Sequence, residues 1–94
     1  MMQHNIELNS KKWILSGYIT YKEIPSLIES TKNFNWSDSV QVDLSQVKHL
    51  DTSALSLIFE WKRKAKNYKY DVALINPPKN LLKLAKLYGV EDLI

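Results

Sequence analysis

The stretch from Val40 to Asn76 constrains the fold most. It opens with Val40, Val42 and Leu44 alternating with Gln41 and Asp43, which predicts a strand with one buried face. A short polar loop follows. From Ser53 to Tyr68, Ala54, Ile58, Trp61, Ala65 and Tyr68 then recur at helical spacing, and Leu55 and Leu57 widen the stripe. The stretch closes on "YDVALIN", Tyr70 to Asn76, whose short, apolar, β-branched character predicts a buried strand. Strand, helix and strand in this order make a crossover, which is expected to be right-handed and to leave its strands parallel.

The flanks extend this unit. Ile6 and Leu8 alternate with polar neighbours, and "KWILSGYIT", Lys12 to Thr20, follows an Asn9-Ser10-Lys11 turn, so a hairpin is expected. Ile24, Leu27, Ile28 and Thr31 then recur at helical spacing. Thr20 and Glu23 match a capping box, while Pro25 argues for a start a few residues later. A final helix should begin near Pro78, with Leu81, Leu84, Ala85 and Tyr88 facing inward and Gly89 closing it. The expected architecture is one α/β domain over residues 1–94: a mixed four-stranded sheet covered by about three helices, in the order β-β-α-β-α-β-α.

Several function classes fall away. No apolar run approaches the roughly 20 residues that span a bilayer. The opening "MMQHNIELNSKK" has no signal core, so a cytoplasmic protein without membrane insertion is expected. With no cysteine there is no thiolate metal site, and a reducing compartment fits. Only Gly17 and Gly89 are present, too few for a phosphate-cradling loop or a dinucleotide fingerprint. The only histidines are His4 and His49, and no oxyanion-forming glycine turn accompanies the latter. Asp43 and Asp51 could both lie near the loop, where a solvated pair is the ordinary expectation. Neither enzyme activity, metal, cofactor nor small-molecule substrate is expected. The net charge of +3 is gathered into Lys62, Arg63, Lys64, Lys66 and Lys69, and into Lys79, Lys83 and Lys86. These groups are either solvated helix faces or an attraction for an anionic partner or membrane surface. No nucleic-acid-binding motif accompanies them.

Asp51, Thr52 and Ser53 stand at the mouth of the central helix. One of them, Asp51 or Thr52 first, should cap it. Thr52, Ser56, Phe59 and Arg63 lie opposite the core stripe, spaced four, three and four apart. They make either a contact surface or, if Phe59 curls onto a neighbouring loop, an ordinary exposed face. A phosphoryl group on Thr52 or Ser53 would sit at the positive end of the helix dipole near free N–H donors, and would place close to two negative charges beside Phe59.

"VDLSQVKHLDTSAL" resembles the signature of the STAS domain, in which a strand ending in Asp-Leu-Ser leads to Asp-Ser/Thr before a helix. The strand and helix order fits from about Ile6 to Leu93. The length and the ending "LLKLAKLYGVEDLI" are most similar to the small STAS subunits of Mla-type phospholipid ABC transporters. The resemblance implies a non-catalytic subunit, cytoplasmic and peripheral to the inner membrane, that binds the transporter's ATPase in a system maintaining outer-membrane lipid asymmetry. It implies a partner surface of Asp51, Thr52, Ser53, Ser56, Phe59 and Arg63, with Thr52 in the ATPase contact. The alternative it carries is an anti-sigma factor antagonist, whose phosphoserine maps by motif position onto Ser53. Many members have glycine where this chain has Ala54, so the helix is expected to begin there.

Overall fold

The computed structural model describes residues 6–9 and 11–94, and the order of elements is the one expected. The elements are β1 (Ile6–Leu8), β2 (Lys12–Ile19), α1 (Ile24–Thr31), β3 (Val40–Leu50), α2 (Ser53–Asn67), β4 (Val72–Ile75) and α3 (Lys79–Leu87), followed by a 3-10 turn at Glu91–Leu93. The four strands form one sheet in the order β1-β2-β3-β4. β1 is antiparallel to β2, while β2–β3 and β3–β4 are parallel, so the sheet is mixed. Of the expected Asn9-Ser10-Lys11 turn, Ser10 lies outside the described residues, as does His4.

Register separates the two faces. Trp13 aligns with Val42 and Val42 with Leu74, and this row joins Leu27, Leu57, Trp61, Leu81 and Ala85 from the three helices in one core. The opposite face carries the row Ile14, Asp43 and Ile75. Asp43 points away from the helices, as the alternation predicted, but it is not a solvated surface carboxylate. It is only 8% exposed, between two isoleucine neighbours.

Two local outcomes differ from the expectation. β3 continues to Leu50 through Ser45–His49, which read as loop. Over the paired span β3 has two more residues than β2, absorbed at irregularities between Ile14 and Ser16 and between Gly17 and Tyr18. In between, the start of α1 is the later one for which Pro25 argued, at Ile24 with the proline in the first turn. The Thr20–Glu23 pair makes a turn just ahead of it, in which the Thr20 N–H donates to Glu23 Oε1 at 3.0 Å and the Thr20 hydroxyl bonds the same carboxylate. Finally, Tyr68 and Tyr88, both expected to face inward, are each 59% exposed. Both are C-caps, at φ −103° and −95°, so they have left the helical wheel that predicted them.

The residue after each cap is left-handed: Lys69 at φ 66° and Gly89 at φ 68°. The hydrogen bonds Lys69 N–H to Lys66 O, Tyr70 N–H to Ala65 O, Gly89 N–H to Lys86 O and Val90 N–H to Ala85 O complete a Schellman motif at both ends.

Trp61 fastens α2 in place. Its ring packs edge-on against Trp13 at 5.0 Å, and its Nε1–H donates to the buried Thr31 hydroxyl at 2.9 Å. That hydroxyl in turn donates to Leu27 O. Phe34 and Trp36 extend the aromatic packing around Trp13. Replacing Thr31 by Val strands a buried indole N–H, and is expected to destabilise the fold by about 1–3 kcal/mol in urea unfolding. An unchanged midpoint would show that the bond contributes nothing.

Candidate functional site

Asp51 shapes the junction. Its Oδ1 accepts the Ser53 N–H at 2.9 Å, and its Oδ2 accepts the Tyr21 N–H at 3.1 Å. Its main-chain carbonyl accepts the Ala54 N–H at 3.0 Å. Thr52 is already helical, at φ −61° and ψ −22°, and makes no side-chain capping bond. Asp51 is therefore the residue that caps, one position ahead of Thr52, and the same carboxylate ties the β2–α1 connection to the start of α2. Burial raises the Asp51 pKa, but the N–H donors of Tyr21 and Ser53, with smaller help from the Ser53 side chain and His49, outweigh it and leave the pKa below its ordinary value.

The helix N–H donors expected to be free for a phosphate are largely engaged. Ser53 and Ala54 donate to Asp51, and Leu55 donates to Thr52 O at 3.1 Å. A phosphoryl group on Ser53 would also stand beside a carboxylate held ionised. His49 is exposed and packs on the Tyr18 ring at 5.7 Å; among the described residues it makes no hydrogen bond to Thr52 or Ser53. The group beside Ser53 is the Asp51 carboxylate, which is engaged as the helix cap and held below its ordinary pKa.

Beyond the cap lies an open cleft of about 370 Å³, lined by Thr52, Ser53, Leu55, Ser56, Phe59, Tyr88 and Val90. Four of the six predicted site residues, Thr52, Ser53, Ser56 and Phe59, thus share one surface. Asp51 is the support beneath it. Arg63 is exposed but lies off the cleft, paired with Glu60 one turn back. Phe59 is partly buried: it packs against the core, and it also lines the cleft. Tyr88 and Val90 were missed as site residues. Their signal was "YGV", because a left-handed glycine after a helix turns the chain back and brings the following apolar residue against it.

Asp43 belongs to a separate network. Its Oδ1 accepts the Ser45 N–H at 2.9 Å and the Asn76 side-chain N–H at 3.3 Å, and Lys12 Nζ stands 3.6 Å from Oδ2. The Ser45 N–H, then the Ser45 side chain, hold its pKa down to about 2 against the effect of burial, with Asn76 and Lys12 assisting. Among the described residues no cluster of histidine and acidic side chains could hold a metal ion.

With the geometry in view, comparison with known proteins places the chain. A family model described as "Mlab, STAS domain" matches residues 5–94. The chain belongs to the STAS domain family. A relative from Haemophilus influenzae, the intermembrane phospholipid transport system binding protein MlaB, is 34% identical over 55 residues. That match takes in 58% of this chain and 52% of the relative, so this STAS domain aligns with about half of its length. The solved structure of the anti-sigma factor antagonist SpoIIAA in its unphosphorylated form superposes with a TM-score of 0.72 at 14% identity, over 93% of this chain and 81% of that one. A crystal structure of Mglu superposes with a TM-score of 0.60 at 19% identity, over 77% of this chain and 19% of that one. Both share the fold. The order of strands and helices expected of a STAS domain is the one observed.

The two carboxylates set an acid limit on stability. Both have folded pKa values below their unfolded ones, so the stability they add is complete above the unfolded values and is lost as pH falls through the folded ones. For Asp43 the window runs from 3.8 down to about 2. The urea midpoint should fall across it, and Asp43→Asn should be less stable near neutrality but flatter in this range. Parallel pH profiles for wild type and variant would contradict the assignment.

Proposed function

We propose that this STAS domain is a non-catalytic subunit of a phospholipid-transporting ABC complex. In this reading it docks on the complex's ATPase through the cleft at the start of α2, and supports a system that maintains outer-membrane lipid asymmetry. It works at the cytoplasmic side of the inner membrane, held there by the transporter. Among the described residues no helix is long and apolar enough to cross a membrane.

The observation that carries the docking surface is the cleft itself. Small hydroxyl side chains at Thr52, Ser53 and Ser56 let a partner approach the helix closely, and the half-exposed rings of Phe59 and Tyr88 offer apolar area to bury. Likeness to MlaB supplies the transport system, since that relative's name describes a binding protein of intermembrane phospholipid transport. Engagement of the local N–H donors, and of the neighbouring Asp51 carboxylate in capping the helix, favours contact over chemistry.

Thr52 is exposed and its side chain supports no capping bond, so Thr52→Arg should leave the fold unchanged. It should weaken co-purification with the ATPase by at least about tenfold, equivalent to about 1.4 kcal/mol. Wild-type recovery of the complex would contradict the proposed contact.

A second reading rests on the half-exposed Ser53 hydroxyl at the helix tip of a SpoIIAA-like fold. Here the domain is an anti-sigma factor antagonist switched by phosphorylation. Intact mass after expression with a cognate kinase separates the readings: one phosphate on Ser53 supports the switch, and an unmodified chain supports the transporter subunit.

A further inference from the structure

α3 buries only Leu81 and Ala85 fully, and its outer face has an unusual composition. At about 100° per residue, Lys79, Lys83 and Lys86 fall in a narrow stripe, with Leu82 on one flank and Leu87 on the other, all within about 140° of arc. The leucines are well exposed, at 46% and 74%. The three lysines are exposed too, and among the described residues none has an ion-pair partner. α3 contains no acidic residue; the first beyond it is Glu91, in the 3-10 turn.

We propose that this face of α3 rests on the anionic surface of a phospholipid bilayer, a contact separate from the α2 cleft. Phosphate-bearing headgroups satisfy the lysines, and the flanking leucines reach the boundary with the acyl chains. The lysines alone would suit any polyanion, but a nucleic acid gains nothing from two exposed leucines and is served by arginine or stacking aromatics, which this face lacks. A protein partner fits less well, because lysine is depleted at protein interfaces and three unpaired lysines at the centre of one would have to be desolvated. A fluid layer of headgroups meets both demands, leaving the ammonium groups hydrated while the leucines sink slightly. This is surface association, without insertion.

The test is co-sedimentation of the full chain, without any ATPase, with vesicles of phosphatidylcholine alone or mixed with phosphatidylglycerol. The chain should sediment with the mixed vesicles, not with the neutral ones, and added salt should release it. Each lysine should contribute about fivefold, so the triple variant Lys79→Gln, Lys83→Gln, Lys86→Gln should bind about a hundredfold more weakly. The matching triple arginine variant keeps the charge and should keep the binding, which controls for folding. Leu82→Ser with Leu87→Ser should also weaken vesicle binding. Equal sedimentation with neutral vesicles, no sedimentation, or full binding by the glutamine variant would overturn the proposal. So would full vesicle binding by the serine variant together with equally tight binding to heparin, which would make the face a general polyanion site.

Discussion

Trp61 sits where the sheet, α1 and α2 meet, and its two kinds of contact position the rest. The ring wedges edge-on against Trp13 of β2, fixing how far α2 stands from the sheet. The indole N–H reaches the Thr31 hydroxyl near the end of α1, fixing the rotation of α2 about its own axis. A tryptophan satisfied at both its apolar body and its polar tip is a strong orienting device, because either contact alone would leave one degree of freedom open. Once α2 is held in this rotation, Ala54, Leu57, Ile58 and Ala65 must face the sheet, and Thr52, Ser56 and Arg63 must face solvent.

The other end of α2 is held by electrostatics rather than packing. Asp51 fastens the first turn and the β2–α1 connection with one carboxylate, so the helix start and a neighbouring loop move together. A glycine-closed end of α3 supplies the opposite wall of the cleft through Tyr88 and Val90. The candidate surface is thus built from the start of one helix and the end of another, each set by its own terminator. This explains why three small polar residues occur in a row at the junction. Asp51 is the structural member, while Thr52 and Ser53 line the cleft and the Ser53 side chain also supports the Asp51 carboxylate.

Much of this was legible in the sequence because it depends on local periodicity. The strand–helix–strand unit, the core stripe of α2 and the inward positions Ile24, Leu27, Ile28 and Thr31 follow from spacing, and burial of the stripe is close to complete from Ala54 to Ala65. What was not legible depends on pairing or on chain reversal. Ser45–His49 has no apolar alternation, yet it is strand because β2 lies beside it and takes up the mismatch in two irregularities. Tyr68 and Tyr88 fit the wheel by spacing but occupy the positions where the helix geometry stops. The burial of Asp43 could not be foreseen either, since it depends on Ile14 and Ile75 arriving from two other strands.

The tip of α2 and the end of α3 are proposed to form one docking surface for a protein partner. Hydrogen–deuterium exchange on the chain, alone and with the purified transporter ATPase, tests this most directly. Slower exchange is expected over residues 52–59 and 88–90 together in the complex, with the strands around Gln41 and Ala73 unchanged. Protection confined to the sheet face or to α1, with the cleft exchanging as in the free chain, would contradict it.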